Sequence, residues 1–117
     1  MTYKELDAWK KSMELAKAIY TIKFPDKERF GLESQMRRCA VSIPSNIAEG
    51  DGRYSIKESV HFIRIAKGSL YELETQLILA KELGYIDDQL EDEIGHLRAM
   101  LINLTKSLET RASRRET

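Results

Sequence analysis

Five basic residues gather between positions 53 and 67. At 100° per residue, Lys57, His61 and Arg64 fall on one line of a helix, with Arg53 and Lys67 on either side. Cations in this pattern can pair with successive phosphates of RNA or DNA. The helix N-terminus would add backbone donors and a favourable dipole, and Tyr54 and Tyr71 stand near enough to stack on bases. The ordinary meaning of such a row is a solvated helix face. A second basic group, Arg111 to Arg115, carries three arginines. It complements the negative end of a helix, and a nucleic-acid arm needs more charge.

A second set is polar and small. Arg38, Ser42, Ser45 and Glu49 recur at helical spacing, and Arg37 lies beside Val41, Pro44 and Ala48. Small side chains and a proline there let another backbone approach closely, and Asn46 and Glu74 could join a hydrogen-bonded set. Two readings stand side by side. One is a subunit interface; the other is a kinked helix packed in its own bundle, its serines bonded to local carbonyls.

Catalytic chemistry finds little to work with. His61 and His96 belong to different segments, and neither HExxH nor ExxH occurs, so no metal site is expected. Cys39 sits among apolar residues and reads as a buried structural thiol. Ser45 lacks the G-x-S-x-G context of a hydrolase nucleophile. Glu72, Glu74, Glu91 and Glu93 read as helix-surface carboxylates, and Gly50-x-Gly52 is too short to cradle a phosphate. The expected protein is non-enzymatic and has no cofactor.

The elements that must carry these residues are helices. Apolar residues recur at three- and four-residue steps, and only two prolines and six glycines interrupt the 117 residues. The first helix is expected from Tyr3 to Lys23, with Thr2 and Glu5 spaced as a capping box. It carries two stripes, Leu6-Trp9-Met13-Ala16-Tyr20 and Ala8-Leu15-Ile19-Ile22, more than one neighbouring helix can cover. Phe24-Pro25 ends it. The second helix runs from Lys27 to Glu49 on Met36, Ala40, Ile43 and Ile47. Pro44 should kink it, with Ser42, Ser45 or Asn46 satisfying freed carbonyls. Gly50 is the expected cap. Ser55 and Glu58 start a third helix on Ile63, Ala66, Leu70, Leu73, Leu77 and Ala80, and Gly84 stops it. Asp88 and Glu91 start a fourth on Leu90, Ile94, Leu97, Leu101, Leu104 and Leu108. Short connections force antiparallel neighbours. The predicted fold is therefore all-α, an antiparallel up-down-up-down four-helix bundle over residues 1–110 with a polar tail at 111–117.

Composition agrees. Nineteen basic and nineteen acidic residues cancel, which argues against nucleic-acid affinity driven by bulk charge. The longest uncharged run, Cys39 to Ala48, has ten residues, about half of what a membrane span requires. A lone cysteine excludes an internal disulfide, and no charged-then-apolar leader opens the chain, so the cytoplasm is the expected compartment.

The segment RRCAVSIPSNIAE at residues 37–49, followed by Gly50, and AKGSLYELET at 66–75 resemble a family of small bacterial four-helix bundles. Its members were first met inside intervening sequences of 23S ribosomal RNA genes and are often labelled S23 ribosomal protein. Glu28-Arg29-Phe30-Gly31-Leu32 and Leu83-Gly84-Tyr85-Ile86 also fit, so the likeness covers roughly residues 5 to 108. The resemblance implies a bundle assembling into ring-shaped homopentamers, and it tilts the reading of the second helix towards a subunit interface. A more distant likeness is to the accessory variability protein of diversity-generating retroelements, which is basic and partners a reverse transcriptase and nucleic acid; this chain differs in being neutral. The expected partners are thus other copies of the chain, with RNA, DNA or another protein as further candidates. A ring would repeat one weak basic patch and so multiply its contacts.

Overall fold

A computed structural model describes residues 2–87 and 90–116, except the side chains of residues 115 and 116. It contains four α-helices: α1 (Asp7–Thr21), α2 (Leu32–Asp51), α3 (Ile56–Glu82) and α4 (Glu91–Glu116), with 3-10 turns at Tyr3–Glu5 and Asp26–Glu28. The contacts run α1–α2, α2–α3, α3–α4 and α4–α1, which closes an antiparallel four-helix bundle 55 Å long. None of the described helices is long and apolar enough to cross a membrane.

The core follows the apolar stripes. Ile63, Ala66, Leu70, Leu73, Leu77 and Ala80 of α3 are buried against Met36, Ala40, Ile43 and Ile47 of α2 and Ile94, Leu97 and Leu101 of α4. Each large aliphatic side chain removed from water here contributes about 1.5–3 kcal/mol. On α1 the second stripe wins the core: Ala8, Leu15 and Ile19 are buried, joined by Ala16 of the first stripe. Ser12 lies fully buried among them because its hydroxyl donates to the Trp9 carbonyl at 2.7 Å.

Several helix ends differ from the sequence expectation. Thr2 makes no side-chain capping bond; the Glu5 amide donates to the Thr2 main-chain carbonyl at 3.0 Å instead, closing a 3-10 turn. Leu6 is then extended, so α1 starts at Asp7 and has only 15 residues. Likewise α2 starts at Leu32 rather than Lys27, because the turn at Asp26–Glu28 and the non-helical Gly31 intervene. Gly50 is not a cap. It lies buried inside α2, which ends at Asp51 with Gly52 behind it. A Cβ at Gly50 would stand 3.1 Å from the Ser59 carbonyl oxygen and 3.3 Å from Phe62 Cβ, so glycine serves close packing of α2 on α3.

Other ends match. The Ser55 hydroxyl accepts from the Glu58 amide at 3.1 Å and starts α3. Gly84 takes φ +78° beyond its end, and the Tyr85 amide donates to the Ala80 carbonyl at 2.9 Å. Asp88, the expected cap of α4, lies outside the described residues. The helix itself continues to Glu116, so the polar residues after 110 extend it. Pro44 sits inside α2 without ending it; the Ser45 hydroxyl donates to the Val41 carbonyl and the Asn46 amide to that of Ser42, both at 2.8 Å.

Candidate functional site

The outer part of the first stripe of α1 lines a largely apolar groove against α2. Trp9, Met13, Ala16 and Tyr20 form one wall, and Val41, Pro44 and Ala48 form the other, around a volume of about 530 Å³. Tyr20 and Val41 remain 50% and 42% exposed. Small residues on both helices keep the floor shallow, and Tyr3 stacks edge-on against Trp9 at 5.5 Å between ring centres. Arg37 closes one end: its guanidinium lies 4.8 Å from the Tyr20 ring centre and pairs with Glu33 at 3.1 Å. The double stripe announced surplus apolar surface, but only packing could choose which stripe remained outside.

The polar residues expected to act together separate into different places. Ser42 exchanges a 2.9 Å hydrogen bond with Ser69 across the α2–α3 seam, and Asn46 donates to the same Ser42 hydroxyl at 3.0 Å. Arg38 lines a small polar cleft beside them with Cys39, Glu72 and Gln76. Ser45 and Pro44 face the apolar groove. Glu49 pairs with Arg53 at 2.7 Å. Glu74 belongs elsewhere: it binds Arg98 of α4, whose guanidinium lies 5.4 Å from the Tyr71 ring centre.

Cys39 is 4% exposed and donates to the Ser69 carbonyl at 2.9 Å and to a Glu72 carboxylate oxygen at 3.3 Å. Burial, followed by the neighbouring Glu72 carboxylate, pushes its thiol up to about 12. It is a protonated donor at neutral pH, not a nucleophile. Among the described residues no three His, Cys, Asp or Glu side chains converge as a metal cluster.

The basic residues near the start of α3 stand in unequal surroundings. Arg53 stands in the turn before the helix, held over the Phe62 ring at 4.4 Å. Arg64 approaches Glu109 of α4 at 4.0 Å. Lys57 and His61 are exposed and Lys67 is half-buried. His61 meets Phe62 edge-on at 5.4 Å between ring centres.

The model of the 23S rRNA-intervening sequence protein family matches residues 4–108. This chain belongs to that family. No curated protein matches it. In this member of the 23S rRNA-intervening sequence protein family, the two distinctive sequence segments face one another. Ser42 of residues 42–50, supported by the Asn46 amide, meets Ser69 of residues 68–75 by a hydrogen bond, and Gly50 admits Ser59, whose hydroxyl donates to the Gly50 carbonyl at 2.8 Å. These segments therefore specify the α2–α3 seam, the most extensive helix contact of the bundle.

Proposed function

We propose that this protein is a non-enzymatic, cytoplasmic oligomer of the 23S rRNA-intervening sequence protein family, a homopentameric scaffold whose subunits meet through the α1–α2 groove. One observation carries the reading: Trp9, Met13, Tyr20, Val41 and Pro44 line a continuous apolar groove in which Tyr20 and Val41 stay exposed. Such a patch, rimmed by Lys17 and Arg37, has the make-up of a protein interface. The number five is what the sequence resemblance implies. The two nucleophile candidates of the sequence make structural bonds, Cys39 to Ser69 and Glu72, and Ser45 to the Val41 carbonyl. Arg38 and Ser45, on the outer side of α2, would flank the contact.

Light scattering tests this directly. The expected mass is five times the 13.5 kDa of one chain. Val41→Asp, which puts a carboxylate in the groove at an already exposed position, is expected to lower the mass without loss of helix. A wild-type monomer at micromolar concentration would refute the proposal.

The second reading is an accessory protein for RNA or DNA. Arg53, Lys57, His61, Arg64 and Lys67 favour it by their helical spacing, and the pair that holds Arg64 to Glu109 is a surface pair worth about 0–1 kcal/mol, easily exchanged for a phosphate. Binding of a structured RNA should then fall steeply with salt. Lys57→Glu with Arg64→Glu should abolish it; unchanged binding would remove this site.

A further inference from the structure

The bundle is missing part of one corner. Lys11 of α1 pairs with Glu93 of α4, so in an antiparallel pair the first residue of α1, Asp7, stands level with about residue 97 of α4. With 15 residues, α1 covers about 22 Å, whereas the 27 residues of α3 run about 40 Å. From Leu97 onward α4 has no α1 helix beside it. The C-terminal end of α2, the start of α3 and the far half of α4 therefore border a half-open cavity of about 410 Å³ where α1 would continue.

Its lining is divided by polarity. Ile47 and Ile63 of the core, with Leu6, Leu104 and Leu108, make an apolar floor. The mouth carries Arg53 and Arg111, with Ser55 and the first turn of α3 between α2 and α4. Arg53 is fixed by Glu49 and the Phe62 ring. Among the described residues no carboxylate pairs with Arg111. Asp51 also borders the mouth. Glu49 already offsets Arg53, so Arg111, together with the uncapped first amides of a 27-residue helix, supplies the positive character of the mouth against Asp51. Volume decides between a partner helix and a small molecule. Several helical turns, 10–12 Å across with side chains, need far more room; 410 Å³ lies within the range of about 300–1,000 Å³ typical of small-ligand sites.

We propose that this corner cavity binds a small amphipathic anion, a carboxylate, sulfonate or phosphate on a hydrocarbon body, with the body on the Ile47–Ile63–Leu104–Leu108 floor and the anionic head between Arg53 and Arg111. At about 30 Å³ for each water-sized group, the cavity holds roughly thirteen heavy atoms, a medium-chain acid rather than a long lipid. The cavity shares no lining residue with the α1–α2 groove, so the proposal stands or falls independently of the oligomer.

Methyl-resolved NMR titration of the full chain with decanoate, 1-decanol and acetate tests it. Decanoate should shift the Ile47, Ile63, Leu104 and Leu108 methyl signals saturably, decanol should bind more weakly, and acetate should not saturate. Arg111→Gln, at an exposed helix position, should weaken decanoate by about threefold, the scale of one exposed charge pair, and leave decanol unchanged. Absence of saturation, or shifts centred on Met13 and Val41 instead, would overturn the site and leave the corner to a protein partner. Equal affinity for decanoate and decanol, or indifference to Arg111→Gln, would overturn the anionic head.

Discussion

Replacing Gly50 by alanine places a methyl carbon 3.1 Å from the Ser59 carbonyl oxygen, 3.3 Å from Phe62 Cβ and 3.5 Å from Ile63 Cδ1. Two of those neighbours are backbone or Cβ atoms, which cannot swing away, so α3 must withdraw by a few tenths of an ångström along its tightest seam. Overpacking of this kind costs about 1–3 kcal/mol. Against it stands the gain of about 1 kcal/mol from removing a glycine inside a helix. The net expectation is a loss of about 1 kcal/mol, or about 4 °C in Tm. Gly68→Ala is the internal control. It makes the same chemical change inside α3, where a Cβ would meet nothing within 4 Å, and should stabilise by about 1 kcal/mol. Urea unfolding of both variants and wild type, at one protein concentration and with unchanged m-values, reads the difference. The two variants should separate by about 2 kcal/mol, in opposite directions from wild type. Gly50→Ala as stable as Gly68→Ala would refute the close approach of α2 and α3.

Ser55→Ala removes the hydroxyl that accepts the Glu58 amide and should cost about 1 kcal/mol in denaturant unfolding. Cys39, with its thiol pushed up to about 12, should react with a disulfide reagent at pH 8 only as fast as the protein opens; fast labelling of native protein would contradict its placement. Because the folded state holds that proton more tightly than the unfolded one, its stabilisation is complete below the ordinary thiol range. It is lost as pH rises from about 9 towards about 12, a component that Cys39→Ala should lack. Glu93 responds in the opposite sense. The hydrogen bond and charge of Lys11 hold its carboxyl below the usual value, so its contribution is present above the ordinary carboxylate range and fades as pH falls. Glu93→Gln should flatten that acid limb in pH-dependent thermal unfolding.

Much of the fold was legible because helix formation and burial leave local periodic marks. The α3 stripe from Ile63 to Ala80 is buried as its spacing implies, and Ser55 caps the helix it precedes. Gly84 takes the left-handed conformation expected of a helix stop. The misread ends, Thr2 and Gly50, share a cause: each residue type has two uses. A threonine directly before a turn can offer its hydroxyl or its carbonyl, and Thr2 offers the carbonyl. A glycine near a helix end can turn the chain or admit a neighbour, and Gly50 admits α3.

The surfaces were less legible, because they depend on what the rest of the chain leaves uncovered. Two stripes on α1 announced surplus apolar area, yet Trp9, Met13 and Tyr20 line an outer groove only because Ala8, Leu15 and Ile19 won the core. The polar residues of α2 looked like one set on a helical projection; in three dimensions Ser42 and Asn46 serve the α2–α3 seam, while Glu74 binds Arg98 on α4. By itself the sequence determined four amphipathic helices, their antiparallel order and the family, since each rests on side-chain periodicity or on contiguous residues. Tertiary structure alone decided which α1 stripe stays outside, that Gly50 is a packing contact, and that a 15-residue α1 leaves a corner of the bundle open. Those outcomes come from competition between distant segments for the same volume, which no local pattern records.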